Sequence, residues 1–160
     1  MTHQPTTVLI AEDDPVFRRV MGFSIAKCGL TVESVGHGQA AYERLLQGGI
    51  HFLVTDHQMP ICSGLELLEK LANSQEAYFP PTILCTAKGL ELDSQGLESR
   101  YNLVAVMHKP FSPRKLGDLI LSRIGSPAIP ATNPSAGITS TAPPIAPHLG
   151  PTPTEVAGDA

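Results

Sequence analysis

Two apolar runs in the sequence each carry carboxylates to the point where the run ends. Glu12, Asp13 and Asp14 follow the first run. Asp56 ends a later one. Apolar runs of this length predict strands buried on both faces, as in parallel sheets covered by helices. Ligands bind at the carboxyl ends of such strands, but aspartate is also common in turns. Taken alone, Asp56 is therefore either a reacting group or a turn residue.

Two more apolar runs end in polar groups, Thr86 and Lys109. Carboxylates gathered at one sheet edge repel one another unless a cation neutralises them, and an all-oxygen set favours Mg²⁺, with Asp13 and Asp56 as the best ligands. A hydroxyl and an ammonium can hold phosphoryl oxygens, and an aspartate can be the nucleophile. The four groups together predict phosphoryl transfer onto Asp56. Taken singly, Lys109 is equally a salt-bridge partner and Thr86 a strand cap.

The hydrophobic pattern between these groups predicts strands that alternate with helices. The expected strands are 7–11, 30–35, 50–56, 82–87 and 103–107, each followed by a helix, of which 90–100 is the weakest. Asp14 before Pro15 is a helix-start signal. The first helix is expected to bury Val16, Phe17, Val20, Met21, Ser24 and Ile25. Right-handed crossovers then give an α/β fold, a doubly wound five-stranded parallel sheet with helices on both faces.

Length and charge narrow the class of protein. The 160 residues suit one domain, and a net charge of −4 argues against general binding to nucleic acid or to a membrane surface. The sequence has no apolar run of the roughly 20 residues that cross a bilayer and no export signal, so we expect a cytoplasmic protein. Cys28, Cys62 and Cys85 are widely spaced, which indicates neither disulfides nor zinc; Cys28 and Cys85 are expected in the core.

The composition changes after residue 125. Eight of the fifteen prolines lie in residues 126–160, which contain no Lys or Arg. We expect a disordered Pro/Ala/Thr-rich tail that serves as a linker, with a partner-binding polyproline segment as the alternative. The expected organisation is an N-terminal extension at 1–6, a folded domain at 7–125 and the tail. No DNA-binding or catalytic output domain is expected after residue 125.

Four motifs occur in order along the chain: 10–15 (IAEDDP), 54–64 (VTDHQMPICSG), 84–87 (LCTA) and 109–111 (KPF). With these motifs the chain resembles the receiver domain of two-component response regulators, of the stand-alone chemotaxis type, over roughly residues 6–125. The resemblance implies a flavodoxin-like fold with strand order 2-1-3-4-5. It also implies a signalling domain that catalyses only its own phosphorylation and dephosphorylation, rather than an enzyme with a separate substrate.

The resemblance assigns roles to individual residues. Asp56 would accept a phosphoryl group from a sensor histidine kinase or a phosphotransfer protein. Asp13 would be the chief Mg²⁺ ligand, with Glu12 in the acidic pocket and the backbone carbonyl of Gln58 completing the coordination. Thr86 would be the switch hydroxyl and Lys109 would contact the phosphoryl group. A cis peptide bond would precede Pro110, and Gln58 and Lys88 would tune dephosphorylation.

The chain departs from the family at Val106, where family members usually have Tyr or Phe as the partner of the switch hydroxyl. Signalling would then run through the loop after strand four, or through the surface of the last helix and strand. His57 is expected to be a loop residue that faces solvent rather than a phosphorelay histidine. His108 is expected to point away from Lys109, because side chains alternate along a strand.

Two other functions stay open beside a receiver that changes its partner-binding surface on phosphorylation. One is a phosphorylation-independent interaction module on the same scaffold, which the missing aromatic at Val106 favours. The other is a phosphohydrolase, which is less suited because Gln58 stands where a second carboxylate would act as acid and base. The downstream protein is not specified by the sequence, and neither nucleic acid nor membrane is expected as a direct partner.

Overall fold

Strands and helices alternate along the chain in the computed structural model, which describes residues 5–87 and 93–124. The strands are β1 (Thr7–Ala11), β2 (Thr31–Val35), β3 (Phe52–Asp56), β4 (Thr82–Ala87) and β5 (Leu103–Lys109). The helices are α1 (Pro15–Ala26), α2 (Gly38–Leu46), α3 (Gly64–Asn73), α4 (Ser94–Arg100) and α5 (Pro113–Ile124). Four predicted features lie outside the described residues: residues 1–4 of the N-terminal extension, Lys88, residues 90–92 of the fourth helix and the tail at 126–160.

The five strands form one parallel sheet in the order β2-β1-β3-β4-β5. This confirms the predicted doubly wound, flavodoxin-like architecture. The register places Ala11 beside Thr55, Asp56 beside Cys85 and Ala87 beside Lys109. The carboxyl ends of β1, β3, β4 and β5 therefore lie along one edge of the sheet, as the functional argument requires.

The core lies on both faces of the sheet because the central strands are buried throughout, and β3 is buried at every position. One face of β1 and β3 packs against α1 and α5, through Val8, Ile10, Phe52, Val54, Met21, Ile25, Leu116 and Ile120. The other face packs against α2 and α3, through Leu9, Leu53, Leu45, Leu67 and Leu71. Each such side chain contributes about 1.5–3 kcal/mol by leaving water.

Helix α1 starts where the sequence predicts. Oδ1 of Asp14 accepts hydrogen bonds from the backbone N–H of Val16 at 2.8 Å and of Phe17 at 3.0 Å, and Pro15 occupies the first turn. These bonds satisfy donors that have no partner within the helix. The direction of α1 away from the sheet edge is therefore fixed by the residue next to Asp13.

The buried face of α1 is narrower than expected. Met21 and Ile25 are buried, but Val16 is 71% exposed and Val20 46% exposed, so the prediction for these two residues is wrong. At about 100° per residue, Val16, Val20 and Phe23 form a separate stripe from the buried face. Phe23 is also exposed. Helix α1 packs against the sheet and α5 on one side only, which leaves this apolar stripe on the surface.

Helix α4 begins at Ser94 in the described part of the chain, later than the predicted start near Leu90. Asp93 caps it by accepting a hydrogen bond from the N–H of Gly96 at 3.0 Å. No helix in residues 5–87 and 93–124 has the length and apolar character needed to cross a membrane.

Candidate functional site

The ammonium of Lys109 connects the carboxylates at the sheet edge. Its Nζ lies 2.7 Å from Oδ1 of Asp56 and 2.8 Å from Oε2 of Glu12. Asp56 is 6% exposed and Glu12 only 1% exposed, so both carboxylates are largely removed from water. The ends of β1, β3 and β5 thus meet at one cation, and Lys109 forms the salt bridge that the sequence left open as its alternative role.

Three carboxylates lie close enough to share a metal ion. One ligand oxygen from each of Glu12, Asp13 and Asp56 lies within 4.8 Å of the other two. Asp13 is exposed, whereas the other two are buried, so an ion can approach from solvent on the Asp13 side. An all-carboxylate set of this kind fits a hard divalent cation such as Mg²⁺. The neighbouring Asp14 is engaged at the start of α1, and the backbone N–H groups of Phe17 and Val16 lower its pKa.

The electrostatics of the site reflect its burial. Removal from water raises the pKa of Glu12; the hydrogen bond from Lys109 opposes this rise, and the charge of Asp56 adds to it. Burial alone would lower the pKa of Lys109, but its hydrogen bonds to Asp56 and Glu12 outweigh that effect and raise it. The lysine is therefore held charged between carboxylates that repel each other.

Aromatic rings support the lysine. Nζ of Lys109 lies 4.8 Å from the ring centroid of Phe17, and the Phe17 ring meets Phe111 edge-on at 5.5 Å. Together with Asp14, Ala87 and Pro110, these residues line a cleft beside the carboxylates. The peptide bond between Lys109 and Pro110 is cis, as the resemblance implies. Sequence reasoning assigned Phe17 only to the core and missed its contact with the lysine.

Thr86 lies fully buried at the end of β4. Its Oγ1 lies 3.4 Å from Nδ1 of His57. The expectation that His57 faces solvent is therefore wrong in part, because the ring is half-buried against a site hydroxyl. The register of β3 on β4 could have indicated this contact. Asp56 pairs with Cys85, and the residues that follow these two are His57 and Thr86. His108 is exposed.

Gln58, which is expected to complete the metal coordination and to tune dephosphorylation, lies next to the carboxylate of Asp56. Its backbone N–H donates to Oδ2 of Asp56 at 3.1 Å, and its side chain is exposed. Val106 is half-buried against a cluster of buried residues on α3, on β4, at the end of α4 and on β5, namely Leu68, Leu84, Tyr101 and Leu103. At the position where family members usually have Tyr or Phe, this chain therefore has a small apolar side chain that packs against that cluster.

The loop after β3 is tightly constrained. A Cβ built on Gly64 would lie 2.2 Å from the backbone oxygen of Asp56, and the Gly64 N–H donates to the carbonyl of His57 at 2.9 Å. Only glycine fits there. Ile61, in the same loop, has φ 70° and is 77% exposed. A β-branched residue in this backbone region is an outlier that sequence reasoning did not anticipate.

Comparison with known proteins agrees with this geometry. Residues 8–121 match the family model of the response regulator receiver domain. The match covers most of the chain and includes Glu12, Asp13, Asp56, Thr86 and Lys109. The chain belongs to the response regulator receiver domain family, which confirms the resemblance noted in the sequence.

Curated relatives include both longer regulators and a protein of similar size. The chain is 29% identical over 110 residues to the transcriptional regulatory protein SrrA of Staphylococcus aureus, covering 68% of this chain and 44% of that protein. It is 27% identical over 122 residues to the chemotaxis protein CheY1 of Helicobacter pylori, covering 74% of this chain and 97% of that protein. The chain spans about half the length of several of the curated regulators it matches.

Solved structures share the fold. The signal receiver domain of a Luxo repressor protein from Vibrio parahaemolyticus matches with a TM-score of 0.68 at 16% identity, covering 76% of this chain and 91% of that one. At this level of identity the likeness concerns the fold. It agrees with the strand order observed here.

Proposed function

We propose that Asp56 accepts a phosphoryl group from a phosphorylated histidine, with Mg²⁺ bound beside it, and that the domain signals by changing a partner-binding surface. The observation that carries this proposal is the contact of Lys109 with both Asp56 and Glu12, at 2.7 and 2.8 Å. The contact brings one cation and two buried carboxylates together at one sheet edge, which supports the proposal. Membership of the receiver family supports it.

In the proposed reaction, a carboxylate oxygen of Asp56 attacks the phosphorus atom. A phosphorus–oxygen bond forms, the phosphorus–nitrogen bond of the donor histidine breaks, and its electron pair returns to the imidazole nitrogen. The product is an acyl phosphate on Asp56. Lys109 is placed to contact a phosphoryl oxygen, because its ammonium already lies beside Oδ1 of that aspartate.

Each remaining residue has one task in this scheme. Asp13, Asp56 and the backbone carbonyl of Gln58 would hold the metal ion, with Glu12 completing the acidic pocket and keeping Lys109 in place. Bound Mg²⁺ neutralises charge on the transferred group. The Thr86 hydroxyl would bind a phosphoryl oxygen after transfer. The exposed side chain of Gln58, with Lys88, would tune the approach of water during dephosphorylation.

A sensor histidine kinase or phosphotransfer protein is the proposed donor. The exposed apolar stripe of Val16, Val20 and Phe23 supports docking of such a protein, because α1 begins directly beside Asp13. The receiver would occupy residues 7–125 and act in the cytoplasm on a downstream protein, without direct contact with nucleic acid or membrane. SrrA is a transcriptional regulatory protein. Gene regulation is therefore the outcome that we propose for the pathway.

The test is Asp56-dependent modification. We expect the protein, incubated with acetyl phosphate and Mg²⁺, to gain the mass of one phosphoryl group, and EDTA or Asp56→Asn to abolish the gain. Asp14→Asn is the matched control, because asparagine preserves the helix cap and Asp14 is not among the proposed ligands. Modification that persists in Asp56→Asn, or that is lost equally in Asp14→Asn, would contradict the proposed acceptor.

A second candidate function is a phosphorylation-independent interaction module. Val106, in the place of an aromatic switch residue, is the observation that favours it. A downstream partner that binds wild type and Asp56→Asn with equal affinity, with and without beryllofluoride, would select this alternative.

A further inference from the structure

The hydroxyl of Thr86 has a polar neighbour directly after the end of the adjacent strand, β3. Oγ1 of Thr86 lies 3.4 Å from Nδ1 of His57, the residue that follows Asp56. One of the two groups donates and the other accepts, according to the tautomer of the ring. This is the hydrogen bond that the Thr86 hydroxyl makes with another side chain among residues 5–87 and 93–124.

The backbone fixes the imidazole in this position. The N–H of His57 donates to the carbonyl of Cys85 at 2.7 Å, and the carbonyl of His57 accepts from Gly64 at 2.9 Å. Both bonds hold His57 between β4 and the start of α3. The ring is therefore presented to Thr86 by the β3–β4 register rather than by a mobile loop.

On the other side of Thr86, the register pairs it with His108 of β5, whose side chain is exposed. Val106 on β5 has an apolar side chain that packs with Leu68, Leu84 and Leu103. It has no hydrogen-bonding atoms, and it cannot fill the space of an aromatic ring. Among the described residues, the side-chain hydrogen-bond partner of the Thr86 hydroxyl is His57, on the β3 side of the site.

We propose that His57 is a positioning residue that holds the Thr86 hydroxyl in the resting state and releases it when a phosphoryl group occupies Asp56. This inference rests on the proposed role of Thr86 as a phosphoryl-binding hydroxyl. In this resting state Nδ1 of His57 is the acceptor. A hydroxyl has one proton, so donation to a phosphoryl oxygen then competes with donation to the imidazole. At 3.4 Å the resting contact is longer than a typical hydrogen bond, so it is readily exchanged.

Removal of the imidazole changes the balance between the two states. In His57→Phe the buried hydroxyl loses its resting partner but keeps the phosphoryl oxygen as a partner in the activated state. The apparent Kd for beryllofluoride with Mg²⁺, measured by calorimetry, should therefore fall about two- to fivefold. His57→Asn returns a hydrogen-bonding group near the Nδ1 position and should restore the wild-type Kd.

The His57→Phe substitution in a Thr86→Val background separates the effect of the His57–Thr86 contact, which we call the latch, from a general effect of the loop. Without the hydroxyl, His57→Phe should leave the Kd for beryllofluoride unchanged. An equal fall in both backgrounds, an unchanged Kd in His57→Phe, or failure of His57→Asn to restore it would overturn the proposal. Urea unfolding of each variant checks that the compared proteins are folded.

The unsubstituted protein provides a second measurement. The ¹⁵N shift of His57 Nδ1 and the methyl ¹³C shift of Thr86 should both move when beryllofluoride binds, because the hydroxyl exchanges partners. A Nδ1 shift that stays constant while the Thr86 methyl moves would overturn the latch alone. Absence of any Asp56-dependent beryllofluoride binding to wild type would instead overturn the proposed function together with the latch.

Discussion

The ammonium of Lys109 lies 4.8 Å from the ring centroid of Phe17 while it forms a salt bridge with Oδ1 of Asp56. The ring supplies a face that attracts the cation without competing with the carboxylates for its protons. The residue that opens the buried face of α1 thus also supports the reaction site.

Phe17→Leu should therefore weaken the placement of Lys109. We expect slower Asp56 phosphorylation by acetyl phosphate and a loss of about 1 kcal/mol in the free energy of unfolding, from the cation–ring contact and lost packing. Phe111→Leu is the matched control, because Phe111 touches Phe17 while the recorded ring contact of Lys109 is with Phe17. Equal slowing in both variants would mean that the ring acts only through packing.

Burial of Glu12 gives the metal-free protein a defined pH dependence. Since burial raises the pKa of Glu12 above its usual 4.5, the folded state binds its proton more tightly than the unfolded state does. This group's contribution to the free energy of unfolding therefore falls as the pH rises from about 4.5 through the raised value. In EDTA, Glu12→Gln should gain stability relative to wild type across that window. Urea unfolding at a series of pH values tests this, and a constant difference between the two proteins would contradict it.

The backbone of Ile61 is strained at φ 70°. A left-handed conformation costs a residue with a Cβ about 1–2 kcal/mol, and glycine removes this strain. Part of the gain is lost because glycine has more conformational freedom in the unfolded chain. Ile61→Gly should therefore raise the free energy of unfolding by about 0.5–1 kcal/mol. Ile61→Val, which keeps the branched Cβ, should bring no gain. Chemical denaturation of both variants measures the difference, and a loss of stability in Ile61→Gly would show that the exposed isoleucine makes a stabilising contact.

Close packing of α1 on α5 depends on Gly117. A Cβ at this position would lie 2.8 Å from Sγ of Cys28. Alanine gains helix propensity at either glycine, but at residue 117 it must also displace the Cys28 thiol, so Gly117→Ala should be less stable than Gly22→Ala by about 1 kcal/mol. Cys28→Ala in the same chain as Gly117→Ala should recover most of this difference. Gly22→Ala is the matched control, because its Cβ would meet Val32 at an ordinary 3.6 Å. Thermal unfolding of the four proteins tests the coupling, which a doubly substituted protein no more stable than Gly117→Ala would refute.

The sequence predicts the fold and much of the site because both depend on local signals. Apolar runs mark β1, β3 and β4, and the residues that end them lie at the sheet edge once the strands are parallel. Asp14 and Pro15 mark the start of α1 by their own chemistry. Glycine at residue 64 belongs to a recognisable motif, although the 2.2 Å approach that requires it is visible only in the folded chain.

The features that sequence reasoning missed depend on partners distant along the chain. Whether Val16 and Val20 are buried depends on how α1 is rotated against the sheet and α5, and helical periodicity does not fix that rotation. The contact between His57 and Thr86 requires the register of β3 on β4. The φ angle of Ile61 is set by the closure of its loop onto Gly38 and Gly64, against the preference of the residue itself.

The bond from Lys109 to Glu12 joins residues 97 positions apart. A ribosome must therefore release nearly the whole domain before the acidic pocket acquires its cation. Until β5 has docked, the carboxylates of β1 and β3 face each other without a counter-charge from this lysine. Under the proposed function, the domain could therefore be phosphorylated only once β5 has been synthesised, and nascent or truncated chains that lack this strand would not signal.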